Sequence, residues 1–222
     1  MPLYVNARSY VEAVYARYRS LQGYGDTGIS RSLGRRFPRI CRFETQFQRP
    51  NLFRFTFESP HPSPRRKHLV SRCVVGSDGA TPYFFSKYYS GEPELDHPES
   101  FELAIAGATG ISSGTAHTIG ALLFEEVGGF TLMDLKRIRF RQSRVVQGVQ
   151  CVCVSGLHPR GGRVTAWFGA EDMLLRRLYS SRFNSEELRF NPVTTSSASR
   201  EAFLAPVNGA PLVAPLQARA HS

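Results

Sequence analysis

The chain of 222 residues has one Trp, three Met and four Cys, and lysine is almost missing from it. Of 28 basic residues only Lys67, Lys87 and Lys136 are lysines; the other 25 are arginines. No run of 18 apolar residues occurs, which excludes a membrane-spanning helix. There is no Cys-x-x-Cys pair and no Cys/His set at zinc spacing, so neither a metal nor a cofactor is expected. The glycine-containing stretches at 110–114 and 156–162 lack the Lys-Ser/Thr of a phosphate loop. The start, Met1 to Arg8, shows no basic segment followed by an apolar one, so no leader is readable. No internal repeat is present.

What is there describes a folded chain. The apolar share is 41% and the aromatic share 12%, too rich for a disordered one. The length fits one large domain or two small ones. The net charge of +10 invites a nucleic-acid reading, but its distribution argues otherwise. Residues 1–72 carry 14 basic and 4 acidic side chains, residues 73–135 carry 1 and 9, and residues 136–222 carry 13 and 5. A basic–acidic–basic chain can satisfy itself internally, and net charge speaks to encounter and solubility rather than fold. No nucleic-acid partner is expected.

Periodicity orders the chain. Residues 9–22 read as a helix through Tyr10, Val11, Val14, Tyr15 and Tyr18, with Ser9 as N-cap. Residues 40–48 and 51–59 alternate as half-buried antiparallel strands: Phe43 and Phe47 share one face, as do Phe53, Phe55 and Phe57. The prolines of 59–67 interrupt regular structure. Residues 69–75 form a strand, Asp78-Gly79 the centre of a hairpin turn, and residues 82–89 an aromatic segment. Residues 98–109 and 115–126 read as two helices separated by a break at Gly110–Gly114. Strands return from Leu135, where Ile138 and Phe140 alternate with Arg137, Arg139 and Arg141, and continue through 149–156, 164–168 and 173–183. After Asn184 the pattern fades, and residues 208–222 read as a disordered Ala/Pro-rich tail. Strand blocks and helix blocks segregated in this way favour an α+β fold, a large curved antiparallel sheet with helices on one face. Cys151 and Cys153 share a strand face. The four cysteines read as small buried hydrophobes or, in an oxidising compartment, as disulfide partners.

One stretch goes beyond patterning. Gln48-Arg49-Pro50-Asn51-Leu52-Phe53 resembles the Arg-Pro-Asn-Leu-Phe signature of the LolA family of periplasmic lipoprotein carriers, the group that includes LolB- and LppX-like proteins. Residues 75–84, joined through Ser77-Asp78-Gly79, resemble the same family's next strand pair. The resemblance is motif-level at 43–58 and 73–86, and the layout agrees over about 9–190. It implies a single domain over 1–207, an unclosed half-barrel covered by the N-terminal helix and a helical lid insertion. It also implies a location in the periplasm or cell envelope, although the unreadable leader leaves a cytoplasmic one open. In the family the matching arginine, here Arg49, hydrogen-bonds to lid carbonyls and helps the lid to close.

The function this implies is non-enzymatic binding or transport of a lipid, acyl chain or other hydrophobic ligand between sheet and lid. The partners would be that ligand or lipoprotein acyl chains, with transient membrane or membrane-protein contact compatible with it. Candidate ligand-binding residues are Phe43, Phe47, Phe53, Phe55, Phe57, Ile138, Phe140 and Trp167; no catalytic residue is expected. Trp167 and Phe168 lie on opposite strand faces, so only one of them can face a cavity. One alternative is a cofactor-free biosynthetic enzyme reusing the fold, for which Arg42, Glu44 and His117 are the groups to inspect. A third reading is a polyanion binder using Arg65, Arg66, Lys67 and the stripe of Arg137, Arg139 and Arg141.

Overall fold

A computed structural model describes residues 6–33, 39–61, 63–195 and 198–206; the proposed tail at 208–222 lies outside the described residues. Helix α1 (Ala7–Arg19) opens the chain. Six strands follow: β1 (Gly23–Ser32), β2 (Ile40–Gln48), β3 (Leu52–Pro60), β4 (Val70–Asp78), β5 (Pro82–Lys87) and β6 (Glu94–Asp96). Helices α2 (Phe101–Thr109) and α3 (Thr115–Leu123) lead to β7 (Lys136–Val146), β8 (Val149–Leu157), β9 (Arg163–Gly169), β10 (Leu175–Ser180) and β11 (Ser185–Val193).

The strands form one sheet in the order β6-β5-β4-β3-β2-β1-β11-β10-β9-β8-β7, and the pairings are antiparallel. The fold is therefore α+β, with a large curved unclosed sheet. Its logic is two meanders, β1–β6 and β7–β11, joined where the first strand meets the last. The free edges, β6 and β7, are consecutive in sequence. The chain must cross from one edge to the other, and α2 and α3 make that crossing over the inner face.

Several local expectations are corrected. The N-cap of α1 is Asn6, whose side chain accepts from the Ser9 backbone N–H, while the Ser9 hydroxyl completes a capping box. The helix starts three residues earlier than expected, so the side-chain carbonyl of Asn6 takes an orphan N–H of the first turn, that of Ser9 itself. The β4–β5 turn is centred one residue later than Asp78-Gly79. Asp78 instead accepts from the N–H groups of Ala80 and Thr81 with Oδ1, at 2.9 and 2.8 Å, and Gly79 takes the positive φ of 99°. The largest correction is β11. Where hydrophobic periodicity fades, the chain forms a central strand, because that strand turns charged residues inward.

The main core lies between the sheet and the three helices. It gathers Tyr10, Val14 and Tyr18 of α1, the inward phenylalanines of β2 and β3, and Ile105, Ile119 and Leu122 of α2 and α3. Burying each such large side chain stabilises by roughly 1.5–3 kcal/mol before ordering costs. Two tyrosine hydroxyls pin α1 in place. Tyr18 accepts from the N–H of Leu175 at 2.9 Å and Tyr15 from that of Leu132 at 3.1 Å. The four cysteines are free and buried. Burial pushes the Cys41 and Cys73 thiols up to about 12, which makes them inert small hydrophobes.

Candidate functional site

The structure separates the residues proposed from sequence. Phe43, Phe47, Phe53, Phe55 and Phe57 are no more than 2% exposed. Phe53 meets the rings of Phe101 and Phe124 at 5.2 and 5.5 Å, and Phe47 meets Phe124 at 5.3 Å. These rings fill the space between β2–β3 and the crossing segment. Ile138 packs half-buried against the same core. Phe140, on the free edge strand β7, remains 41% exposed and lies edge-on to Tyr10. Trp167 faces the opposite side, in a small cluster with Val146, Cys151 and Cys153 and with the Arg177 guanidinium 4.7 Å above its ring. Phe168 takes the inward position on β9.

Arg49 occupies the turn between β2 and β3. Its Nη2 donates to the carbonyls of Arg19 (2.7 Å) and Leu123 (3.1 Å), and its Nε to that of Leu21 (3.3 Å). One planar fork thus holds the C-terminal ends of α1 and α3 to the sheet, and its guanidinium lies 5.0 Å from the Phe47 ring. Helix C-termini present unpaired carbonyls and partial negative charge, which a cation suits.

The open space lies over the other half of the sheet. A cavity of about 810 Å³ is bounded by β1, β9, β10 and β11 on one side and by α2, α3 and the 127–132 segment on the other. Tyr15 of α1 contributes to its wall. Ile105, Leu122, Val127, Leu132, Val164 and Leu178 supply apolar lining. None of the eight residues proposed from sequence borders it. The inner face of β2 and β3 carries phenylalanines that pack against the crossing segment; the inner face of β1 and β11 carries serines and charged residues.

The strand register arranges those polar residues. Ser30 stands opposite Glu187 and Ser32 opposite Ser185, while Ser180 stands opposite Ser185 across the next pairing. All five border the cavity. Behind them lies a buried ion trio. Arg189, 0% exposed, donates through Nη1 to Asp26 and through Nε to Glu187, both at 2.6 Å, and through Nη2 to the Thr115 carbonyl at 3.2 Å. Its guanidinium also lies 4.7 Å from the Phe43 ring. Gly28, opposite Arg189 in the register, makes this possible, since a Cβ there would run into the Phe43 ring and the Leu188 carbonyl. Burial pushes the Glu187 carboxyl above its ordinary value, and Arg189 only partly opposes this. The two acids hold the Arg189 proton firmly against the cost of burial.

Two histidines also border the cavity. His117 Nε2 lies 2.8 Å from the Gly128 carbonyl, to which it must donate. His158 lies 4.1 Å from the Phe130 ring, centroid to centroid, and its Nδ1 accepts from the Arg160 N–H. Burial, with Arg182 and Arg160 nearby, lowers its pKa. Of the residues singled out for an enzyme, His117 reaches the cavity. Arg42 and Glu44 alternate onto the opposite face of β2 from Phe43, where Glu44 accepts from Gln46.

The basic segments are not brought together along the sheet. Arg65 and Arg66 lie in the β3–β4 connection, the stripe lies on β7, and β2, β1, β11, β10, β9 and β8 stand between. Among the described residues, no group of His, Cys, Asp or Glu could hold a metal ion, and no helix is long and apolar enough to cross a membrane.

No family model matches the chain, and no curated protein matches it. Among solved structures it is similar to the MucA/MucB complex of Pseudomonas aeruginosa, at 12% identity and a TM-score of 0.43, over 90% of this chain and 61% of that one. It is similar to a putative outer membrane lipoprotein-sorting protein domain from Vibrio parahaemolyticus, at 7% identity and 0.38, over 89% and 95%. A LolA superfamily protein from Nitrosomonas europaea matches at 8% and 0.34, over 91% and 99%. The chain spans about 60% of the MucB chains it matches. The class of structure named by the sequence motifs is thus among those the chain is similar to.

Proposed function

We propose that this chain binds a largely apolar small molecule or acyl chain, as a carrier or sensor, in the cavity between the β1/β9–β11 half of its sheet and the α2–α3 segment. The observation that carries this is the cavity itself. Its volume of about 810 Å³ falls in the roughly 300–1,000 Å³ range of small-ligand sites, and aliphatic side chains from both sheet and helices line it. A ligand there gains roughly 25 cal/mol per Å² of apolar surface buried, less the ordering costs of association. Arg49, tying α1 and α3 to the sheet, would set how readily the helices yield to a ligand. A place in the cell envelope belongs to the same reading and rests on the Arg-Pro-Asn-Leu-Phe motif.

The test is displacement of a neutral fluorescent dye such as Nile red from the purified chain by fatty amphiphiles. In the Leu178→Trp variant, which puts an indole into the cavity, dye affinity should fall at least tenfold while the unfolding transition persists. Unchanged binding in a folded variant would place the dye, and the function, elsewhere.

A further inference from the structure

The cavity has chemistry at one side that an acyl tail does not need. Ser30, Ser185 and Glu187 border it on adjacent strands, and Glu187, 5% exposed, belongs to the buried trio with Arg189 and Asp26. One guanidinium sits between two carboxylates, so with both acids ionised the trio carries one surplus negative charge. Burial penalises an uncompensated charge severely. Arg189 cannot turn toward the cavity, because Nε, Nη1 and Nη2 are each engaged. The group of the trio that borders the cavity is the acid.

We infer that the ligand of this cavity is a cationic amphiphile, an apolar body with a protonated amine end that docks on Glu187 beside Ser30 and Ser185. This rests on the ligand-binding reading above and narrows it. An ammonium offers three donors and no acceptor, which suits a carboxylate flanked by hydroxyl oxygens. It also supplies the missing positive charge. A fatty carboxylate would bring a second negative charge to the same place. The other charged groups bordering the cavity are Arg39 and Glu102, both exposed and of opposite sign. The two histidines there are His117, on the Gly128 carbonyl, and His158, whose depressed pKa keeps it neutral near pH 7. The chain as a whole carries +10, so a preference for cations cannot come from its overall field and must be local.

The experiment measures displacement of Nile red at pH 7 by dodecylamine, dodecanol and dodecanoate below their micellar concentrations, on the wild-type chain and on Glu187→Gln. The wild type should bind the amine at least tenfold more tightly than the alcohol, and the carboxylate more weakly than either. Glu187→Gln should bring the amine to within about threefold of the alcohol. Equal binding of amine and alcohol by the wild type, a preference for the carboxylate, or an amine advantage that survives Glu187→Gln each overturns the inference while leaving ligand binding intact. Failure of all three amphiphiles to displace the dye overturns the ligand-binding reading and this one with it. The wild-type ranking stands by itself if the variant does not fold.

Discussion

Glu187 shows how one side chain can serve opposite ends. It is nearly buried beside an arginine that a second acid shares, and burial raises its pKa above the ordinary 4.5. The sign of the consequence follows from linkage. The unfolded chain releases the Glu187 proton as the pH rises through about 4.5, while the folded chain still holds it. The folded-state advantage of this group is complete below that pH and is lost as the pH rises toward the folded pKa. The unfolding free energy of the wild type relative to Glu187→Gln should therefore decline as the pH rises above the ordinary carboxylate value of 4.5, with a slope of at most about 1.4 kcal/mol per pH unit. Denaturant titrations of both proteins at rising pH test this; a difference independent of pH would contradict it. The phenylalanines of β2 and β3 make a contrast at the same scale. They were legible as inward residues from alternation alone, but alternation cannot say whether the space beyond them is filled. Phe101 and Phe124, supplied by the crossing segment, fill it.

At the scale of elements, α2 and α3 are short, and contacts outside themselves hold them. The break between them was readable, because Gly110 and Gly114 bracket a turn in which Ser113 and Gly114 take positive φ. What holds the far end of α3 was readable only through the motif at Arg49, since residues 49 and 123 are far apart in sequence. In Arg49→Ala the carbonyls of Arg19, Leu21 and Leu123 lose their donor. A loss of about 1–3 kcal/mol is expected, with amide exchange accelerated in 115–123 more than in the β3–β4 hairpin. Exchange mass spectrometry decides; uniform acceleration would mean that Arg49 serves global stability rather than this helix. Strand β11 was missed for a physical reason. Its inward positions, Ser185, Glu187 and Arg189, are polar or charged, so hydrophobic periodicity has nothing to detect. Alternation of polar residues in Asp26, Gly28, Ser30 and Ser32 of β1 carries the matching signal. It becomes meaningful once the two strands are known to pair.

For the whole molecule, the seam between β1 and β11 closes the sheet in its middle and carries the ion trio. Arg31 and Arg177 add pairs to Glu186 on the outer side, at 2.9 and 2.6 Å. Replacing Arg189 with methionine leaves Asp26 and Glu187 buried without their counter-charge, for which a loss of roughly 3–5 kcal/mol is expected. A shift of the denaturant midpoint with an unchanged slope would show it; a variant as stable as the wild type would mean that the acids simply take up protons at little cost. The basic–acidic–basic division of charge is only partly internal. The pair from Arg19 to Glu125 joins the acidic third to a basic one, while the trio and the Glu186 pairs lie within the basic thirds.

The class of fold, the order of most of the strands and helices, the inward faces of β2 and β3 and the motif at Arg49 are all legible in the sequence alone. These depend on local period, turn chemistry and a contiguous run of residues. Tertiary structure alone decided where the cavity lies and what borders it. The meeting of β1 with β11 is a contact between residues more than 150 positions apart, and it converts two weakly patterned polar strands into one buried polar surface. Apolar residues mark where the chain packs, so they pointed to the filled half of the sheet. The open half is defined by side chains too short or too polar to fill it.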